Sequence, residues 1–73
     1  MKHSDAVKML AERFNEHLIW QGAKAGAGLL ELFAAAGGKT WTLALRTPDG
    51  RSCQIAEGEG WLSITPEVKG TAA

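Results

Sequence analysis

The run Leu29-Leu30-Glu31-Leu32-Phe33-Ala34-Ala35-Ala36-Gly37-Gly38-Lys39-Thr40-Trp41-Thr42-Leu43-Ala44-Leu45-Arg46-Thr47-Pro48-Asp49-Gly50-Arg51-Ser52-Cys53-Gln54-Ile55-Ala56 decides the fold. It holds three apolar-rich stretches separated by two turn signals, Gly-Gly and Pro-Asp-Gly. With Gly37-Gly38 as a two-residue hairpin turn, Ala36 pairs with Lys39, which sets Leu30, Leu32 and Ala34 opposite Leu45, Leu43 and Trp41. With Pro48-Asp49-Gly50 as a three-residue turn and Gly50 in the left-handed position, Thr47 pairs with Arg51. Cys53 then opposes Leu45, and Ile55 opposes Leu43. The two turns are chosen on turn chemistry alone, yet they agree on one apolar face. An antiparallel β-meander is therefore expected, with strands at about 29–36, 40–47 and 51–57.

The other face of the same strands carries Leu29, Glu31 and Phe33 beside Thr40, Thr42, Ala44 and Arg46, with Ser52, Gln54 and Ala56 beyond. It is less polar than a solvated face should be. Phe33, Thr42 and Ala44 mark a mildly apolar strip suited to contact with a partner, and Glu31 is within reach of Arg46 across the strands.

Upstream, Val7, Leu10, Ala11 and Phe14 recur at helical spacing, while Lys8, Glu12 and Arg13 fall on the opposite side. Ser4 is a candidate N-cap, Asp5 suits the positive end of the helix dipole, and Asn15 tolerates the left-handed conformation that ends helices. A helix over about 4–16 is expected, its apolar face covering the Leu30, Leu32, Trp41, Leu43 side of the meander. Residues 18–23 fit either a last helical turn or a first strand, and the strand is preferred. Ala23 to Gly28 reads as a flexible loop, since Gly26-x-Gly28 lacks the preceding strand, third glycine and following helix of a phosphate cradle. Trp61 to Thr65 is a candidate last strand, and residues 67–73 read as a loose tail. The fold class is α+β: one domain over 1–73, an N-terminal amphipathic helix packed on a 3–4-stranded antiparallel β-meander.

Composition narrows the function classes. In 73 residues the core is thin, and chains of this size often add a disulfide, a metal or a second copy to a core supplying roughly 3–5 kcal/mol. Cys53 is the only cysteine, so no disulfide forms within the chain. Eight basic and eight acidic residues balance to zero, which gives no field to draw a nucleic acid, and no apolar run approaches the ~20 residues of a membrane span. His3 and His17 stand at no metal-ligand spacing. Glu57 and Glu59, the one pair of carboxylates spaced for acid–base work, read as a solvated turn, so no catalytic, metal or cofactor residues are expected.

By register Cys53 points into the core, which favours a structural thiol over a nucleophile or redox centre paired with a histidine. Trp41 reads as core. Trp20 and Trp61, near the ends of the sheet, either close the core or serve as ligand or partner anchors.

Three readings follow. The first is a non-catalytic interaction or assembly module using Phe33, Thr42 and Ala44, as a homodimer or with another protein. The second is a small-ligand binding protein with a cleft lined by Trp20 or Trp61. The third is a thiol-dependent enzyme or redox protein using Cys53.

The segments Gly38-Lys39-Thr40-Trp41-Thr42, Thr47-Pro48-Asp49-Gly50-Arg51-Ser52-Cys53-Gln54-Ile55-Ala56 and Gly58-Glu59-Gly60-Trp61 resemble a group of small, uncharacterised proteobacterial proteins. Their pattern is a T-W-T strand, a P-D-G turn, S-C, then A-x-G-E-x-W, and the resemblance spans most of residues 5–61. It implies a shared small fold and no assigned activity. Members look exported, with a signal peptide and commonly a second cysteine ahead of the helix. Here Met1 to Asp5 lead directly into a charged helix, so a cytoplasmic location is expected as written, and a periplasmic one if a leader has been removed.

Overall fold

The computed structural model describes residues 1–26 and 28–62. Helix α1 (His3–Phe14) is followed by four strands, β1 (Glu16–Lys24), β2 (Gly28–Ala35), β3 (Thr40–Arg46) and β4 (Ser52–Glu59). They form one antiparallel sheet in the order β1-β2-β3-β4, each strand beside its neighbour in sequence. The fold is α+β, a helix on a four-stranded meander. Residues 18–23 lie within β1. The candidate strand at 61–65 has only Trp61 and Leu62 within the described residues, neither in a strand, and the tail at 67–73 lies outside them.

Turn chemistry sets the register. Gly37 and Gly38 both take positive φ (77° and 72°), the geometry a two-residue hairpin turn needs to match strand twist. Leu30 stands opposite Leu45, Leu32 opposite Leu43 and Ala34 opposite Trp41. At the second turn Gly50 has φ 86°, the Thr47 N–H donates to the Arg51 carbonyl at 2.9 Å, and Cys53 stands opposite Leu45. The Thr47 hydroxyl also donates to the Asp49 carboxylate, and this bond holds the Asp49 carboxyl below its usual range.

One register position departs from expectation. A β-bulge in β4 puts Ala56, not Ile55, opposite Leu43, and leaves Ile55 as the extra, exposed residue. A second bulge in β1, between Leu18 and Trp20, adds Ile19 in the same way.

The helix lies on the face opposite to the one expected. Leu10 packs with Phe33 and Ala44, with Met9 against them, so the core forms on the Glu31, Phe33, Thr42, Ala44, Ser52 side. The helix is also turned about its axis: Ala6 and Leu10 are buried, while Val7 and Phe14 are exposed. Its start is held by backbone rather than by Ser4. The N-cap is Lys2, without a side-chain cap, and Lys2 bridges to Arg51. The His3 N–H donates to the Gly50 carbonyl at 2.9 Å, and the Ser52 N–H donates to the Met1 carbonyl at 2.8 Å. The β3–β4 turn thus supplies one of the partners that the first turn of a helix lacks.

At the other end Asn15 adopts the left-handed conformation (φ 54°, ψ 34°), its N–H donating to the Leu10 carbonyl. This residue reverses the chain into β1. Replacing Asn15 with Ala should cost about 1 kcal/mol, and replacing it with Gly should leave stability within about 0.5 kcal/mol of the parent, read as urea midpoints. Equal midpoints for the Ala and Gly variants would show that the left-handed cap contributes nothing.

Candidate functional site

The helix covers one face of the sheet and leaves the other open. Ladder positions facing away from α1 are His17, Trp20, Gly22 and Lys24 on β1, Leu30, Leu32 and Ala34 on β2, Trp41, Leu43 and Leu45 on β3, and Cys53, Ala56 and Gly58 on β4. The positions on β2 and β3 are apolar, and the basic residues His17 and Lys24 stand at the two ends of the edge strand β1. Leu32 and Ala34 are hidden by their own neighbours, Leu30, Trp41, Leu43 and Leu45 are half-buried, and Trp20 is 50% exposed.

Two glycines on the edge strands seat the tryptophans. A Cβ built on Gly22 would fall 2.5 Å from Cη2 of Trp20, and one on Gly58 would fall 2.8 Å from Cζ2 of Trp41. Each indole therefore lies across a position with no side chain, Trp20 along its own strand and Trp41 over its cross-strand partner. The rings extend the apolar surface over both edge strands.

On the helix side, polar groups are buried among the core residues. Glu31 has no exposed surface, and its carboxylate accepts from His3 Nε2 at 2.8 Å and from Gln21 Nε2 at 2.7 Å. It is bonded by the helix and by β1, not by Arg46, and His3–Glu31 is the single contact within 4.0 Å between a basic side chain and a carboxylate among the described residues. Glu16, also buried, accepts from the Thr42 hydroxyl at 2.7 Å. Beside it a groove of about 550 Å³ opens between the C-terminal half of α1 and the β3–β4 end of the sheet.

The residues expected to form a site separate on this frame. Phe33, Thr42 and Ala44 are buried beneath α1, so they form the chain's own core rather than a contact strip. Trp20 lies on the open face. Trp61, partly exposed, donates its N–H to the Gly38 carbonyl at the β2–β3 turn. Neither tryptophan lines the groove.

Cys53 is exposed on the open face rather than buried in the core. His17 is on β1 and Cys53 on β4, with two strands between them, while His3 is bonded to Glu31 on the other side of the sheet. Across strands about 4.8 Å apart, neither imidazole is within reach of the thiol. Among the described residues no three His, Cys, Asp or Glu side chains gather to hold a metal ion. Likewise, no described helix is long and apolar enough to cross a membrane.

Sequence reading missed the pair of buried glutamates. The signal available was Glu31 itself, an ionisable residue inside the most apolar strand, where such a group needs partners on the same face. Comparison with protein-family models, curated proteins and solved structures gives no match. The site is therefore read from its chemistry alone.

Proposed function

We propose that the protein is a non-catalytic assembly module that pairs face to face with a second copy of itself through the open side of its sheet. The observation that carries this reading is the apolar face bounded by Trp20 and Trp41, with its basic residues confined to the ends of the edge strand β1. Four strands about 4.8 Å apart and about eight residues long present roughly 500 Å² before side-chain relief is counted. That is at the upper end of single apolar patches on monomers and approaches the ~800 Å² per partner of a standard interface.

A second copy suits the face for two reasons. In a two-fold interface each patch meets its own image, so a charge at its centre would meet a like charge or be desolvated; the ladder positions of β2, β3 and β4 hold none, and Lys24 lies at the end of the edge strand β1. Association through strand edges is discouraged, because both edge strands carry a bulge, at Ile19 and at Ile55. Stacking two such sheets about 10 Å apart would give a four-layer helix–sheet–sheet–helix particle. It would also supply the burial that a chain of this length lacks alone.

Sedimentation velocity at micromolar concentration tests the reading. The unaltered chain is expected to run as a dimer and Leu43→Glu as a folded monomer. Val7→Glu, on the exposed side of the helix, is expected to remain a dimer. A strict monomer over the whole concentration range would remove the proposal.

A further inference from the structure

The groove beside α1 opens on the helix side of the sheet, sharing only Trp41 and Gly58 with the proposed dimer face, and its carboxylates and helix residues are not on that face. Its floor is Glu16, whose surface is 2% exposed. One carboxylate oxygen, Oε1, accepts from the Thr42 hydroxyl at 2.7 Å, whereas Oε2 has no hydrogen-bond partner among the described residues. A buried carboxylate oxygen without a donor is costly, and a donor brought by a ligand removes that cost.

The walls are Met9, Leu10 and Phe14 of the helix, with Phe14 half exposed at the mouth. The rim carries Glu57 and Glu59 against a single cation, Arg13. Arg13 forms no ion pair with Glu16, Glu57 or Glu59, and Glu57 is instead hydrogen-bonded by Gln54 at 2.8 Å. The lining is therefore acidic by two charges, with an unpartnered acceptor at its base and apolar sides. A volume of about 550 Å³ is in the range of small-molecule pockets.

We propose that this groove binds a small amphipathic amine, with the ammonium group donating to Glu16 Oε2 and the apolar body lying along Met9, Leu10 and Phe14. A charge-assisted bond from an ammonium supplies the donor that Glu16 lacks. The opposite polarity is disfavoured, since an anion would meet three carboxylates. A neutral alcohol fills the same space but provides no counter-charge.

Three probes of one shape test this on the unaltered chain: phenethylamine, 2-phenylethanol and 3-phenylpropionate, followed by two-dimensional NMR with calorimetry. Phenethylamine is expected to shift the resonances of Met9, Glu16 and Thr42 and to bind roughly tenfold or more tighter than the alcohol. The carboxylate is expected not to bind. Glu16→Gln should remove most of the preference for the amine. Glu57→Gln, at the exposed rim, should weaken amine binding about threefold, and Arg13→Ala should strengthen it by a similar factor.

Equal binding of amine and alcohol would reduce the site to an apolar crevice and overturn the proposal, as would the absence of shifts with all three probes. If Glu16→Gln does not fold, the three-probe comparison decides alone.

Discussion

Phe33→Ala is expected to leave the protein largely unfolded at room temperature. Phe33 is 1% exposed and forms, with Leu10 and Ala44, the cluster that joins helix to sheet. Removing a buried phenyl ring costs about 3–5 kcal/mol through lost transfer free energy and the cavity left behind. In a chain this short the core supplies roughly that much in total. Ile55→Ala, a change of similar kind at the exposed bulge residue of β4, should alter stability by no more than about 0.5 kcal/mol. Far-UV circular dichroism and urea midpoints, taken at one protein concentration because association would add to stability, compare the two. A Phe33→Ala midpoint equal to the parent's would mean that the helix does not dock on this face.

The second large effect concerns the buried carboxylate, and the expected order of costs is unusual. His3→Ala should be more damaging than Glu31→Leu. The first substitution leaves the fully buried Glu31 carboxylate with Gln21 as its only donor among the described residues. Breaking a fully buried pair costs about 3–5 kcal/mol, and the 20% exposure of the His3 side chain lowers the expectation to about 2–3 kcal/mol. Glu31→Leu removes the charge instead and puts an aliphatic group of similar volume beside the core cluster. A buried pair replaced in this way is often neutral or better, and His3 and Gln21 retain access to water. Urea midpoints of the two variants decide it, and a His3→Ala cost no larger than that of Glu31→Leu would show that the carboxylate does not depend on the histidine.

These expectations rest on features of unequal legibility. The register of β2, β3 and the start of β4 is written in two short turns, because Gly37-Gly38 and Gly50 permit backbone conformations that other residues resist. The end of the helix at Asn15 follows from the same local steric rule. The bulges at Ile19 and Ile55 were not readable, since a bulge inserts a residue without a distinctive local signal and is stabilised by the neighbouring strand. Ser4 carried a capping signal, but the bridge between Lys2 and Arg51 starts the helix ahead of it and leaves Ser4 inside the first turn.

The candidate sites were legible only in part. Trp20 was marked by its size, and it does lie on an accessible apolar surface. Phe33, Thr42 and Ala44 share a face with Glu31, Arg46 and Ser52, which along the sequence reads as a mildly apolar outer strip. The same grouping describes the floor of the core once the helix is placed over it. Glu16, which anchors the groove, sits at the junction between helix and strand. Nothing in its neighbours along the chain announces that Thr42, 26 positions away, will bond to it.

Local sequence by itself determined the elements, their order and the pairing of the strands across both turns, since these depend on residues a few positions apart. Which face the helix covers was decided only by tertiary structure. Apolar alternation pointed to the richer face, and a helix placed there would bury more hydrocarbon. Two tethers set the placement instead: the bridge from Lys2 to Arg51 at its start and the left-handed turn at Asn15 at its end. His3 and Gln21 then meet both oxygens of Glu31, and Thr42 meets one oxygen of Glu16, so three of these four buried carboxylate oxygens find donors on the covered side. The helix thus lies where long-range polar contacts form, and the more hydrophobic face, with Cys53, is left uncovered.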